Sequence, residues 1–237
     1  MLKNLISRDI KVKFRRSTLG IIWSVLNPLM MIGVQYVVFT YLFASDVPNF
    51  AVYLAAGNLI FQFFSEATQN AMTSVLGAAP LIKKVYVPKY IFPMEKVLFS
   101  FVNTLFSGIA LIIVAVITHL DITINILFAP IPLILVMVFN LGVGLILATC
   151  VVFFRDIIHL YGVLVMVLTY LTPLFYTENT LAARAPFVIK MLRINPLYWY
   201  VAMFREVVLY GRAPTLQQMI ICSVWAVSTL VIGLLIF

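Results

Sequence analysis

Residues 131–154 read IPLILVMVFNLGVGLILATCVVFF, twenty-four positions without a charged side chain. About 20 mostly apolar residues suffice for a helix to cross the hydrocarbon core of a bilayer, so this stretch predicts a membrane span. Five more segments of the same kind surround it, at residues 21–43, 52–76, 97–118, 160–176 and 216–237. The first is interrupted by Asn27 and Pro28, and 160–176 is short. The expectation is an all-α membrane protein with six transmembrane helices in a single domain over residues 1–237.

Composition points the same way. Of the 237 residues 64% are hydrophobic and 10% charged, where soluble domains carry roughly 45–50% and about 25%. Eight acids and sixteen bases are too few to cover a soluble fold of this size, which excludes one. The net charge of +8 does not indicate nucleic acid, because the bases sit at the ends of apolar runs and form no basic domain. Anionic lipid headgroups are the expected counter-charge.

Orientation follows from the rule that cytoplasmic loops hold the excess of lysine and arginine. With the N-terminus inside, Lys3, Arg8, Lys11, Lys13, Arg15, Arg16, Lys83, Lys84, Lys89, Lys96 and Arg155 are cytoplasmic, eleven of the sixteen bases. The other five, Arg184, Lys190, Arg193, Arg205 and Arg212, fall within 177–215, an anomalously basic outer loop. Residues 1–16 are basic but lack the apolar core and cleavage site of a secretory signal, so they are expected to be retained. Cys150 and Cys222 lie inside apolar runs, with neither ligand spacing nor a disulfide framework around them.

Three segments are amphipathic instead of spanning. In residues 1–16, Leu2, Leu5, Ile6, Ile10 and Phe14 recur at helical spacing, with Asn4, Arg8, Lys11 and Arg15 on another face. That is the pattern of a helix lying in the headgroup layer, or of a basic anchor and no more. Residues 79–96, APLIKKVYVPKYIFPMEK, hold prolines at 80, 88 and 93 that bracket a short element unable to continue either neighbouring span. Aromatic and aliphatic residues interleave there with lysines, which suits a partner surface and packing against the membrane equally. Residues 177–215 are too long for a turn and too polar to span. Their short apolar runs, with Asn195-Pro196-Leu197-Tyr198-Trp199-Tyr200 before Arg205 and Glu206, fit an element that dips into the outer leaflet and returns.

Absent motifs narrow the function. No glycine-rich phosphate loop ending in Gly-Lys-Ser/Thr is present, so ATP-driven work needs a partner chain. No HExxH or paired-carboxylate motif is visible, and His119 and His159 stand alone at span ends, which disfavours a membrane enzyme. The second span carries a polar stripe of Asn58, Gln62, Ser65, Glu66, Gln69 and Thr73. Polar groups are costly in lipid, so the stripe either bonds to another helix or lines a path for polar cargo. Tyr36, Phe39 and Phe43 share a face of the first span, and the fifth ends Tyr170-Leu171-Thr172-Pro173-Leu174-Phe175-Tyr176. Such rings build interfacial belts and also offer flat faces for stacking on sugars.

Four stretches, by their order and spacing, carry a resemblance. They are Arg8-Asp9 through Arg15-Arg16-Ser17-Thr18-Leu19-Gly20-Ile21-Ile22-Trp23 to Asn27-Pro28-Leu29; Leu81-Ile82-Lys83-Lys84-Val85-Tyr86-Val87-Pro88; Phe154-Arg155-Asp156-Ile157-Ile158-His159; and Thr172-Pro173-Leu174-Phe175-Tyr176 with Asn195-Pro196-Leu197. Over nearly its whole length the chain resembles the membrane subunits of polysaccharide-exporting ABC transporters, the family that moves O-antigens, teichoic acids and capsules. The resemblance implies a permease, not an enzyme, in the bacterial cytoplasmic (inner) membrane. It implies a second copy of the chain and two ATPase subunits that hold ATP and Mg, with no cofactor or metal in this chain. The cargo would be a polyprenyl-diphosphate-linked polysaccharide moved outward.

The resemblance also assigns roles by position. Residues 1–19 would form an interfacial helix, and 79–96 a coupling loop docking on the ATPase through Leu81, Lys83, Lys84, Tyr86, Pro88 and Tyr90. Residues 177–215 would form re-entrant gate helices with Asn195, Pro196, Tyr198, Trp199 and Arg205, their bases facing water, glycan or lipid diphosphate. The pathway would use Tyr36, Phe39, Phe43, Gln62, Glu66, Gln69, Tyr170, Phe175 and Tyr176. The chain stops at Phe237, still apolar, where such subunits usually add a short cytoplasmic tail, so either the tail is missing or the last span is incomplete. Two rival functions are an ABC exporter of small drugs or lipids and a membrane enzyme of cell-envelope synthesis.

Overall fold

Lipid offers no hydrogen bonds to a backbone, so a chain this apolar must satisfy its N–H and C=O groups internally, and helices do so within one segment. The structure, a computed structural model, describes residues 2–14, 19–41, 47–84, 86–121, 123–177 and 186–237. Among the described residues there are ten α-helices and no strand. They are α1 Leu2–Phe14, α2 Trp23–Tyr41, α3 Phe50–Gly77, α4 Ala79–Ile82, α5 Ile91–Ile117, α6 Pro130–Phe153, α7 Ile157–Leu171, α8 Pro186–Ile194, α9 Pro196–Val208 and α10 Leu216–Ile236. Five are long and apolar enough to cross a membrane: α2, α3, α5, α6 with the turn before it, and α10. The expected span at 160–176 is the apolar helix α7, of 15 residues.

Two prolines act otherwise than the sequence suggests. Pro28 does not interrupt the first span, since α2 runs through it. Pro93 does not separate the loop from the third span either, because it lies in the first turn of α5, where a backbone N–H has no helical partner to lose. That span therefore begins at Ile91, six residues before the expected 97. Pro173 does stop a helix: α7 ends at Leu171 and Thr172 turns to extended backbone, as the residue before a proline prefers.

The centre of the bundle is α3, which packs against α5, α6, α2 and α9. Hydrophobicity alone does not hold helices together in lipid, so close packing and polar contacts must. Both are present. An aromatic ladder runs from Phe64 of α3 to Phe139 of α6, with ring centroids 5.9 Å apart. It continues from Phe139 to Tyr200 of α9 at 5.4 Å, and the Tyr200 hydroxyl donates to the Cys222 carbonyl of α10 at 2.8 Å. The Tyr161 hydroxyl of α7 donates to Thr68 Oγ1 of α3 at 2.7 Å. Where α6 and α10 cross, Gly142 and Gly233 bring the backbones into direct contact.

The helix α1 lies along α5. Its Leu2, Leu5, Ile6 and Ile10 are half-buried, while Asn4, Arg8 and Lys11 are exposed, which is the two-faced pattern expected of it. Asp9 of α1 accepts a hydrogen bond from Lys96 of α5 and pairs with Arg8 at 2.9 Å. Burial pushes the Asp9 carboxyl up, but the hydrogen bonds and charges of Lys96 and Arg8 outweigh it and hold it below its ordinary value. The carboxylate, and with it this tie between α1 and α5, persists until pH falls below the usual carboxylate range.

Candidate functional site

The most buried long helix has a polar exposed face. Along α3 the exposed residues are Gln62, Gln69, Thr73 and Gly77, with Ser65 and Glu66 half-buried beside them. A helix facing lipid shows the reverse, apolar outside and polar within. The stripe opens on two cavities that share Gln62 and Glu66, one of about 320 Å³ and one of about 370 Å³.

In the first cavity Glu66 is held by two partners, one of them braced in turn by a third group. Its Oε2 accepts from Asn103 Nδ2 of α5 at 2.8 Å, and its Oε1 lies 3.5 Å from Lys13 Nζ of α1. Lys13 Nζ also donates to Asn103 Oδ1 at 2.9 Å, and Ser24 Oγ of α2 donates to the same oxygen at 3.1 Å. Four elements thus meet on one carboxylate–amide pair. Sequence reasoning singled out Glu66 but missed Asn103, Lys13 and Ser24. A signal existed, since Ser100, Asn103, Thr104 and Ser107 place polar groups on one side of an otherwise apolar third span. Further along the stripe, Gln69 Nε2 donates to Ser65 Oγ at 2.7 Å.

The aromatic residues form a second tier toward the start of α3. Phe39 of α2 stacks on Phe175 with centroids 4.9 Å apart and planes 4° from parallel. One face of each of those rings is therefore occupied by the other. The Tyr176 hydroxyl donates to the Tyr170 carbonyl at 2.5 Å, and Tyr53 of α3 donates to the Tyr176 carbonyl at 2.7 Å. Tyr36 and Tyr170 are exposed. Phe43 lies outside the described residues, as do Arg15, Arg16 and Arg184. The structure thus joins Phe39 to Phe175 and Tyr176 to Tyr170 beside the start of α3, and none of the five aromatic residues lines the cavities of Gln62, Glu66 and Gln69.

Among the residues assigned to the outer gate, the expectation of water-facing bases fails at Arg205, which is 4% exposed. Its guanidinium donates to the carbonyls of Pro173 at 2.6 Å, Leu174 at 3.2 Å and Tyr53 at 3.1 Å. It also lies 3.4 Å from the centre of the Tyr53 ring. The cation is a clamp on the turn after α7, satisfied by backbone oxygens and an aromatic face. Asn195 is buried as well. Its Oδ1 caps α9 by accepting from Leu197 N–H at 3.0 Å, its Nδ2 donates to Thr172 Oγ1 at 3.0 Å, and Pro196 follows at the first helical position. Tyr198 is buried edge-on to Trp199, with centroids 5.3 Å apart, and Trp199 Nε1 donates to the Arg193 carbonyl at 2.9 Å. These residues dock α8 and α9 onto the bundle and the 172–176 turn.

The loop at the other end of α3 is built differently. Leu81 in the single turn α4, and Lys83, Lys84, Tyr86, Pro88 and Tyr90 after it, are all exposed, Tyr86 to 97%, while Val87 is tucked in. An aromatic side chain held that far from its own fold, between lysines, offers a partner an anchor to enclose.

Five helices of membrane-crossing length make this a multi-pass membrane protein. The chain belongs to the ABC-2 type transporter family, which it matches over residues 2–209. Among curated proteins it is similar to an O-antigen export system permease protein RfbA of Klebsiella pneumoniae, 27% identical over 207 residues, covering 86% of this chain and 78% of that protein. It is also similar to an O-antigen export system permease protein RfbA of Myxococcus xanthus, 24% identical over 236 residues, covering 97% and 90%.

Proposed function

We propose that the chain is the permease half of an ATP-driven exporter in the bacterial inner membrane, moving a polyprenyl-diphosphate-linked polysaccharide outward as a homodimer with two ATPase subunits. The observation that carries this reading is the polar exposed face of α3. A glycan needs replaceable hydrogen bonds along its path, and a hydroxyl- and amide-bearing stripe on an otherwise buried helix supplies them. The relatives named for O-antigen export support the cargo class. With the N-terminus in the cytoplasm, the α4 loop lies on the ATPase side and α8–α9 on the outer side.

The pathway is tested by thiol access. In a background where Cys150 and Cys222 are replaced, cysteines at Gln62 and Gln69 are expected to react with a water-soluble reagent about tenfold faster than a cysteine at Val227, on an exposed apolar position of α10, because only hydrated thiols ionise readily. Equal rates at the three positions overturn the pathway.

Coupling has its own test. Tyr86→Asp is expected to weaken ATPase association and lower export about tenfold or more, the loss of one buried aromatic anchor. Insertion of the permease is expected to stay unchanged, because Tyr86 touches so little of its own fold. Undiminished association and export remove this loop from the ATPase interface.

A further inference from the structure

The cavity beside Glu66 has a composition that selects its occupant. We infer that it is a binding pocket for a single uncharged sugar unit; the inference rests on the export reading above and makes it more specific. Among the described residues its charged lining is Lys13 and Glu66, which lie 3.5 Å apart and neutralise one another. A phosphate entering here would have to compete with Glu66 for Lys13, and an ammonium would have to compete with Lys13 for Glu66. The other amides and hydroxyls that line it are those of Asn27, Gln62, Asn103, Ser24, Thr104 and Ser107. Each of these groups both donates and accepts hydrogen bonds, which is the complement of a ring carrying several hydroxyls.

The apolar side of the pocket fits the same ligand. Trp23, the first residue of α2, lines it while 43% exposed, so much of its indole is uncovered. The C–H face of a sugar ring packs on such a flat surface, while the indole N–H keeps a polar handle. Size agrees too. About 320 Å³ lies at the small end of the roughly 300–1,000 Å³ of small-molecule sites, room for a sugar unit and not for a chain.

Preorganisation separates this pocket from a chance polar cleft. The carboxylate and the Asn103 amide are already fixed by Lys13 and Ser24, so a ligand need not order them. The exposed amides of Gln62 and Asn27 stand at the opening. Among the described residues α1 supplies Lys13, α2 Trp23, α3 Gln62 and α5 Asn103, so four elements of one protomer line the pocket.

The test uses the permease assembled with its ATPase subunits and purified in a sugar-free detergent such as lauryldimethylamine oxide, since maltoside headgroups would compete. Radiolabelled methyl glycosides of glucose, galactose, mannose and N-acetylglucosamine are measured by equilibrium dialysis, with inorganic pyrophosphate as the anionic probe. At least one glycoside is expected to bind saturably, with a dissociation constant raised about tenfold or more by Trp23→Ala and by Gln62→Ala, the loss of one good contact in each. Gln62 is exposed, so its variant reports even if Trp23→Ala does not assemble. Absence of saturable glycoside binding, binding indifferent to both variants, or pyrophosphate binding without glycoside binding each overturns the pocket. Export scored in cells separates the two readings. Normal export by a complex that binds no glycoside sinks the pocket and leaves the exporter standing, whereas cells that export no glycan even with the native chain sink the exporter.

Discussion

Arg205→Met is expected to lower the stability of the detergent-solubilised protein by about 1–4 kcal/mol, since it takes the guanidinium donor from the buried Leu174 carbonyl and leaves the Pro173 carbonyl only the longer bond from the Tyr53 hydroxyl at 3.3 Å, at about 1–3 kcal/mol for a group left unsatisfied. Among the described residues the partners of this cation are carbonyls and the Tyr53 ring. Arginine suits the place because its planar fork presents five N–H donors in fixed directions. Arg205→Lys keeps the charge but loses the fork, and is expected to recover only part of the loss. Gly57 faces the guanidinium across α3, and a Cβ there would collide with it, so Gly57→Ala is expected to destabilise in the same sense. Thermal unfolding read by fluorescence, with protease cleavage at the 172–176 turn, checks both. A melting temperature unchanged in Arg205→Met would mean that the clamp carries nothing.

Gly142→Val is expected to disrupt the bundle outright, with a loss above about 3 kcal/mol and a sharp fall in inserted protein. A Cβ at Gly142 would meet the backbone of Thr229 and the Leu230 nitrogen at 2.5 Å, and one at Gly233 would meet the Gly142 Cα at 3.1 Å. The obstacle on each side is backbone, which cannot rotate away as a side chain can, so α6 and α10 must part. Overpacking a fitted interface costs about 1–3 kcal/mol even where side chains can yield, and close approach over small residues is itself a main source of helix attraction in lipid. The control is Gly108 of α5, beside which an added Cβ meets open space. Gly108→Ala is expected to be neutral or to stabilise by up to about 1 kcal/mol through helix propensity. Equal melting of Gly142→Val and the native chain would refute the backbone contact.

The spans were legible because one physical requirement, some 20 apolar residues in a row, is written locally. Five of the six expected spans are helices long and apolar enough to cross a membrane, to within a few residues at most ends, and the other segment is the shorter helix α7. Boundaries failed where proline was read as a breaker without regard to its position in the turn, as at Pro93. The polar stripe was legible for the same local reason, as a face of one helix. Its partners were not: Lys13 and Asn103 reach Glu66 from two other elements while Ser24 of a third braces Asn103, and nothing in their spacing announces the meeting. Arg205 was misread for a deeper reason. A basic residue in a short amphipathic segment suggests water, but its ligands are backbone oxygens, and carbonyls are present at every position of every sequence.

A sixth span made by α7 would act on the bilayer itself. At 1.5 Å per residue the 15 residues of α7 measure about 22 Å, against a hydrocarbon core of about 30 Å. Leu160, Val163, Leu164, Met166, Val167 and Tyr170 are all exposed on the single protomer, and acyl chains covering this face would have to shorten to match it. Such a hydrophobic mismatch would pinch the two leaflets together locally. An amphiphile whose polar head must be drawn across would meet its thinnest oily barrier in that dimple, and a stiff or thick membrane would resist forming it.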